Sequence, residues 1–342
     1  TFFGAVGSAA NSGWLYLPIY LGPILVFVFG WPIIRRIVAI SKRQNLTSIA
    51  DFIAARYGKA RSLAVLVTVI ATVGSVPYIA LQLKAVASGF NVVSDYPAGT
   101  LAAPDAALIV AGAMAVFAIL FGTRQVDVTE HHRGMMLAIA FESIVKLAAF
   151  VAVGVFALAL LTGGGISAAA TATSNPFSFD TLPDTFITQL LLASAAIICL
   201  PRQFHVTIVE ARAEAETYAA RWALPLYLVT FSIFIIPITL AGLALLPSGT
   251  YSGDMYVLGL PMNANQDWLT VLAFLGGFSA ATGMVIVACV ALSTMICNEV
   301  VMPLLFRLRL FGLPDRDDYS RVLIYVRRAA IISIAALAYV YH

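Results

Sequence analysis

Residues 137–150 read LAIAFESIVKLAAF, an apolar run that carries two opposite charges, Glu142 and Lys146, four residues apart. The run sits inside a longer apolar segment, residues 134–162. At about 1.5 Å of rise per residue that segment is long enough to cross a hydrocarbon core of roughly 30 Å. On such a helix a spacing of four places both side chains on one face, one turn apart. A lone charge at the bilayer centre costs about 2.5–3.5 kcal/mol on insertion scales, and pairing lowers that cost. Two readings stand: a self-neutralising structural pair facing other helices, or a pair that couples a cation or faces a substrate.

The rest of the chain repeats the pattern. Of its 342 residues 61% are hydrophobic and 11% charged, with a mean hydropathy of +0.93. A soluble domain carries about 25% charged residues, so the composition points to an all-α integral membrane protein. A transmembrane barrel would show alternating segments of about 10 residues, which are absent. Cys199, Cys289 and Cys297 all lie in apolar stretches, and their odd number and setting indicate neither a disulfide framework nor a metal site.

Apolar segments fall at about 14–34, 62–90, 106–122, 134–162, 186–201, 222–247, 268–306 and 329–342, and residues 1–9 read as the end of another. The first and last are too short to span, so the chain is expected to begin and end inside helices, as a fragment. No basic region precedes the first apolar residues, so they do not read as a secretory signal. Of the 20 lysines and arginines, all but Lys84 and Lys146 lie on alternate connections: 35–61, then Arg124 and Arg133, then Arg202, Arg212 and Arg221, then 307–328. The intervening loops, 91–105, 163–185 and 248–267, hold none. That asymmetry is a positive-inside pattern, and one missed or invented span would scramble it. Within the first basic connection, NLTSIADFIAARYGKA reads as a short cytoplasmic helix capped by Thr47 or Ser48, with Asp51 in its first turn. Segment 268–306 is too long for one perpendicular crossing and is expected to tilt or run on into the cytoplasm.

Soluble-enzyme signatures are missing: there is no GxxxxGK[ST], strand-anchored GxGxxG, HExxH or GxSxG, and an integral membrane enzyme lacks a catalytic constellation here. Polar residues at membrane depth are therefore the functional candidates. Besides Glu142 and Lys146 these include Gln82, on a face able to line a pathway, and Lys84, placed to snorkel near the outer end. Pro77 below them is able to kink its helix and free a carbonyl. In CLPRQFHVTIVE an apolar segment breaks at Pro201, and Arg202, Gln203 and His205 follow. Broken helices near the midplane expose carbonyls and half-helix ends, the raw material of transporter sites, although an ordinary helix end reads the same way. His131 and His132 read as interfacial. In the small-residue stretch GGFSAATGMVIVACVALSTMICNE, Ser279 and Thr282 lie about one turn apart, and packing accounts for them as well as ion ligation does.

In this order the pieces resemble the solute:sodium symporter family. LTSIADFIAARYG is similar to its TLPDYFTGRF-type cytoplasmic helix, and FGTRQVDVTEHH to its GGxxAVxWTDxxQ signature, with Thr129-Glu130 for Thr-Asp. RQFHVTIVEA is similar to GQPHxxxRFMA, and Asn298-Glu299 stands where the small-residue helix ends in Glu-Asp. TRQVDVTEHHRGMMLAIAFESIVKLAAF and CLPRQFH bring the chain closer to the symporter-like membrane domains at the N-terminus of sensor histidine kinases. The resemblance covers nearly the whole chain.

It implies a leucine-transporter-type inverted-repeat helical bundle, truncated at both ends, running from the second half of core helix 1 to core helix 9 and working by alternating access. It implies a bacterial inner membrane location and a small-molecule solute, an amino acid in the first instance. A missing C-terminal region would carry the kinase, its ATP site and a response-regulator partner. No nucleic-acid partner and no cofactor within these residues is implied. By position, Gln203 becomes a substrate hydrogen-bonding residue, His205 an inner-gate residue, Tyr20 a residue facing the site, and Glu130 the carboxylate near the sodium exit path. The family's adjacent Ser-Thr sodium ligands align with Gly283-Met284, which supply no hard oxygen. Ser279 and Thr282 would compensate only in a shifted register. That weakens sodium coupling and suggests that Lys146, with its protonation tuned by Glu142, stands in for the ion, making transport proton-linked or facilitated. A free-standing symporter is the alternative.

Overall fold

A computed structural model of the chain describes residues 2–94, 106–122, 133–163, 176–177, 184–211, 215–246, 251–308 and 316–341, and among them there are helices and no strands. The first elements are α1 (Gly4–Ser12), a 3-10 turn (Gly13–Tyr16) and α2 (Pro18–Val28), with α2 bent 61° from the segment before it. The bend has two causes, one distant in the chain and one local. Gly13 sits at φ +55°, where a β-carbon would strike the Pro176 carbonyl, and Pro18 opens α2 at the position where a missing N–H costs nothing.

The segment read as 14–34 therefore breaks twice, at Leu17 and again at Gly30, after which α3 (Trp31–Gln44) is a separate helix. Ile34, Val38 and Ser41 form its buried stripe, while Arg35, Arg36 and Arg43 stay exposed. It ends on left-handed Asn45 (φ 50°), with the Leu46 amide donating to the Ser41 carbonyl at 3.0 Å in a Schellman arrangement. In α4 (Ile49–Arg56) the Ser48 hydroxyl accepts from the Asp51 amide at 3.0 Å, and the Asp51 carboxylate accepts from the Thr47 amide at 3.3 Å. This reciprocal capping is what the sequence predicts for that stretch.

The remaining long helices are α5 (Arg61–Ser94), which passes through Pro77 unbroken, α6 (Ala106–Gly122) and α7 (Arg133–Thr162). They are followed by α8 (Phe186–Cys199), α9 (Pro201–Phe204) with a π turn (His205–Val209), and α10 (Glu216–Leu245). Short α11 (Tyr256–Asn263) precedes α12 (Asp267–Met295), which runs through a π turn (Ile296–Val301) into α13 (Met302–Leu308); the last element is α14 (Arg316–Tyr341).

Two segments are longer than their apolar cores. α10 starts at Glu216 rather than near 222, and α14 at Arg316 rather than near 329. Hydropathy marks where a helix enters lipid, not where its backbone hydrogen bonding starts. α14 thus has a spanning stretch of 21 residues, Arg321–Tyr341, not a short remnant.

Among the described residues five helices are long and apolar enough to cross a membrane, seven when each bent pair counts as one span. α6, apolar throughout, adds about 26 Å at 1.5 Å per residue. With these crossings all the basic connections fall on one side. The exterior is apolar, with Ile70 and Val73 on α5 and Phe141 and Ile144 on α7 all exposed, as lipid contact requires. The chain is an all-α, multi-pass membrane protein.

α12 is its axis: 78% of its most apolar stretch is buried inside the protein, against 22% for α5. One face of α12 joins α5, α6 and α14 in a core of Ile79, Leu83, Met114, Leu292 and Ile334. Another meets α7 and the Phe2 and Phe3 rings ahead of α1, in a core that Phe150, Phe231 and Ile235 share. Lipid tails are as apolar as leucine, so close packing rather than water exclusion holds helices together here. Gly276 lies under Phe2 and Ala149, and Gly277 under the Phe3 ring, so α1 and α7 reach the α12 backbone.

Candidate functional site

The site begins at Leu200. Its extended backbone (φ −72°, ψ 131°) ends α8, and Pro201 has no N–H to return to the Ile197 carbonyl. α8 and the following segment meet at 52°. The π turn then widens the helix, with the Glu210 amide donating to the His205 carbonyl at 2.9 Å. Phe204 and Ile208 turn into the core, while Arg202, Gln203, Thr207 and Glu210 line a cavity of about 850 Å³. That is within the range of solute sites, about 300–1,000 Å³.

Its other walls come from α2, α3, α7, α8 and α10, with Tyr78 of α5 and Met284 of α12 also in the lining. α2 and α8 cross closely because Gly22 lies on the backbone of Ala193 and Ser194, which brings Tyr20 to the cavity. Tyr20 stacks on Phe231 (6.4 Å, 16°), which stacks on Phe150 (4.1 Å, 18°). Lys146 Nζ lies 5.9 Å from the centre of the Tyr227 ring, and the Arg202 guanidinium carbon lies 5.3 Å from that of Tyr78. Tyr78 Oη donates to Met284 Sδ at 2.9 Å, fixing the ring beneath the guanidinium. The hydroxyls of Tyr20 and Tyr227 are buried with no hydrogen-bond partner.

The structure divides the opening pair. Lys146 lines the cavity; Glu142, one turn earlier, does not. Its carboxylate instead packs on the bare α-carbon of Gly283, where a β-carbon would collide with it. Glu142, Lys146 and Arg202 remain within electrostatic reach of one another.

At the basic end, His205 Nε2 lies 3.3 Å from Glu210 Oε1, and Lys42 of α3 donates to the Val209 carbonyl at 2.8 Å. Trp31 Nε1 donates to Thr217 Oγ1 at 3.1 Å, and the Arg221 guanidinium lies 5.2 Å from the Trp31 ring centre. α3 thus straps the π turn and the start of α10. Lys42 has its pKa lowered, first by burial, with Glu210 and Glu216 opposing that shift.

Of the residues expected from sequence, Tyr20, Gln203 and Lys146 share the cavity, and His205 is buried behind it against Glu210. Gln82 is buried but does not line the cavity. Neither Ser279 nor Thr282 reaches it; the Thr282 hydroxyl donates to the carbonyls of Phe278 (2.8 Å) and Ser279 (2.9 Å) of its own helix. Glu130, His131 and His132 lie outside the described residues. Tyr78, Tyr227 and Phe231 were not expected, because an aromatic in a uniformly apolar segment carries no sign of which way it faces. No protein-family model matches the chain, and no curated protein matches it. Its fold and cavity define a multi-pass helical membrane protein with a solute-sized chamber at a broken helix.

Proposed function

We propose that these residues form the membrane domain of a sensor histidine kinase, one that binds a small organic solute, an amino acid in the first instance, and transports it by alternating access. The observation that carries the binding half is the cavity at the Leu200 break, with Gln203, Tyr20 and Lys146 in its wall. Non-helical backbone at membrane depth is tolerated only where protein or a water-filled cavity covers it, and transporters place their sites there. The kinase half rests on the resemblance of TRQVDVTEHHRGMMLAIAFESIVKLAAF and CLPRQFH to symporter-like kinase domains. ATP and a response regulator would belong to sequence beyond His342.

Sodium is not the coupling ion in this reading. Gly283 and Met284 stand where the family's hydroxyl ligands align, and the Glu142 carboxylate packs on Gly283 with the Lys146 ammonium a turn away. The Lys146 ammonium, its protonation tuned by Glu142, then supplies internally the charge that a bound cation would bring, leaving transport proton-linked or facilitated.

The test is uptake of a panel of radiolabelled amino acids into proteoliposomes with and without a sodium gradient. Saturable uptake unchanged by sodium is expected. Uptake equal to that of protein-free vesicles for the whole panel would remove transport, and sodium-driven uptake would remove the coupling scheme. The coding sequence after His342 tests the kinase half: a phosphoacceptor histidine motif with Asn- and Gly-rich ATP boxes supports it, and an early stop makes the chain a free-standing symporter.

A further inference from the structure

We infer that the part of the cavity beside Tyr227 and Tyr78 is a carboxylate subsite, in which Lys146 and Arg202 bind the acid group of the solute and no α-amino group is required. The inference rests on the solute-binding reading above and names the chemical class that the site selects. Lys146 and Arg202 both line the cavity, each beside an aromatic face, Tyr227 and Tyr78. Glu142, the carboxylate whose charge acts on Lys146, packs on Gly283 and does not line the cavity. Lys146 and Arg202 thus present their charge to the cavity while Glu142 stays out of its wall, an arrangement that favours an anion beside them.

The hydrogen bonding agrees with the charge. Tyr20, only 4% exposed, lines the cavity with a hydroxyl that has no partner, and the buried Tyr227 hydroxyl has none either. Two orphan O–H donors beside an ammonium and a guanidinium fork suit the lone pairs of one carboxylate. The lining also includes Phe27, Leu224, Leu228 and Phe231, apolar surface that takes a hydrocarbon body. The cavity's own carboxylates, Glu210 and Glu216, are at the basic end, where Glu210 meets His205 and α3 straps the π turn. Among the described residues no other carboxylate lines the cavity, so none in its wall beside Lys146 and Arg202 takes an ammonium group. The fit is therefore to a small organic acid with an apolar body, of which an amino acid is one case.

The test is calorimetric titration of the full chain in lipid nanodiscs with L-leucine, 4-methylpentanoate, benzoate and succinate, each against its amide. At least one acid is expected to bind at least tenfold more tightly than its amide. Leucine and 4-methylpentanoate are expected within about tenfold of each other. Arg202→Gln and Lys146→Gln are each expected to weaken that acid at least tenfold and leave the amide unchanged, and Lys146→Arg to restore the acid. Equal binding of acid and amide, acid affinity retained in both glutamine variants, or failure of a normally melting Lys146→Arg to bind would overturn the inference. Leucine binding without 4-methylpentanoate binding would overturn it too, by making the amino group essential. Saturable binding of the amides alone would remove this subsite and keep the transport reading; binding of none of the probes would remove both.

Discussion

The Glu142 carboxylate lies directly on Gly283, and it fits only because residue 283 has no side chain. α7 and α12 approach through this contact and through Ala149 on Gly276, seven residues earlier on the same face of α12. An anion is thus held at membrane depth by a backbone surface, with Lys146 one turn further along α7 and free to face the cavity.

Gly283→Ala is the direct probe of that contact. Helix propensity alone favours alanine by about 1 kcal/mol. Here the new methyl has to displace a carboxylate or push α7 away from α12, an overpacking cost of about 1–3 kcal/mol. Thermal melts in detergent are expected to show a lower midpoint for Gly283→Ala and an unchanged or higher one for Gly74→Ala, whose site is open. Equal behaviour of both variants would show that the contact is absent.

Lys146→Met tests the coupling scheme. Removing the ammonium takes away the proton carrier and leaves Glu142 without its opposite charge. Uptake in proteoliposomes is expected to lose the dependence on pH that the unaltered protein shows. A Lys146→Met profile as steep as that of the unaltered protein would sink the scheme.

Lys42 offers a pH test outside the spanning helices. Its pKa is lowered in the folded protein, chiefly by burial, so between that lowered value and about 10.5 the unfolded chain binds more protons than the folded one. Stability should therefore rise with pH through that window, while the neutral amine still donates to the Val209 carbonyl. Lys42→Met is expected to lack this share of the rise, read as the difference between the two melting curves as the pH is raised toward about 10.5. Parallel curves would refute it.

Ser48→Ala removes the cap of α4, a loss of about 1 kcal/mol. Amide exchange across Ile49–Arg56 is expected to speed up about fivefold, that energy expressed as an opening equilibrium, while exchange in α12 stays unchanged. Uniform acceleration in both helices would mean that the cap supports the whole bundle rather than α4.

The spans were legible because a bilayer demands long apolar runs, and alternating basic loops fix their parity. Pro201 announced the broken helix and TSIAD the cap of α4, since both are local chemistry. The divergence of Glu142 from Lys146 was not legible: α7 is apolar on every side, so nothing in its periodicity says which helix each face meets. Tyr78 and Tyr227 were missed for the same reason. The bend at Leu17 depends on Gly13 meeting the Pro176 carbonyl, a contact between residues far apart in the chain. The early starts of α10 and α14 escaped because charged first turns are helical without being apolar.

The central claim is that the cavity at the Leu200 break opens to each side of the membrane in turn. Leu228, in the cavity wall and 12 residues into α10, is a suitable reporter. In a chain with Cys199, Cys289 and Cys297 replaced by serine or alanine and Leu228→Cys introduced, a membrane-impermeant thiol reagent is applied to either face of oriented proteoliposomes. Alternating access predicts labelling from both faces, with a saturating transported solute slowing one rate relative to the other. Labelling from one face only, whatever solute is present, would contradict it.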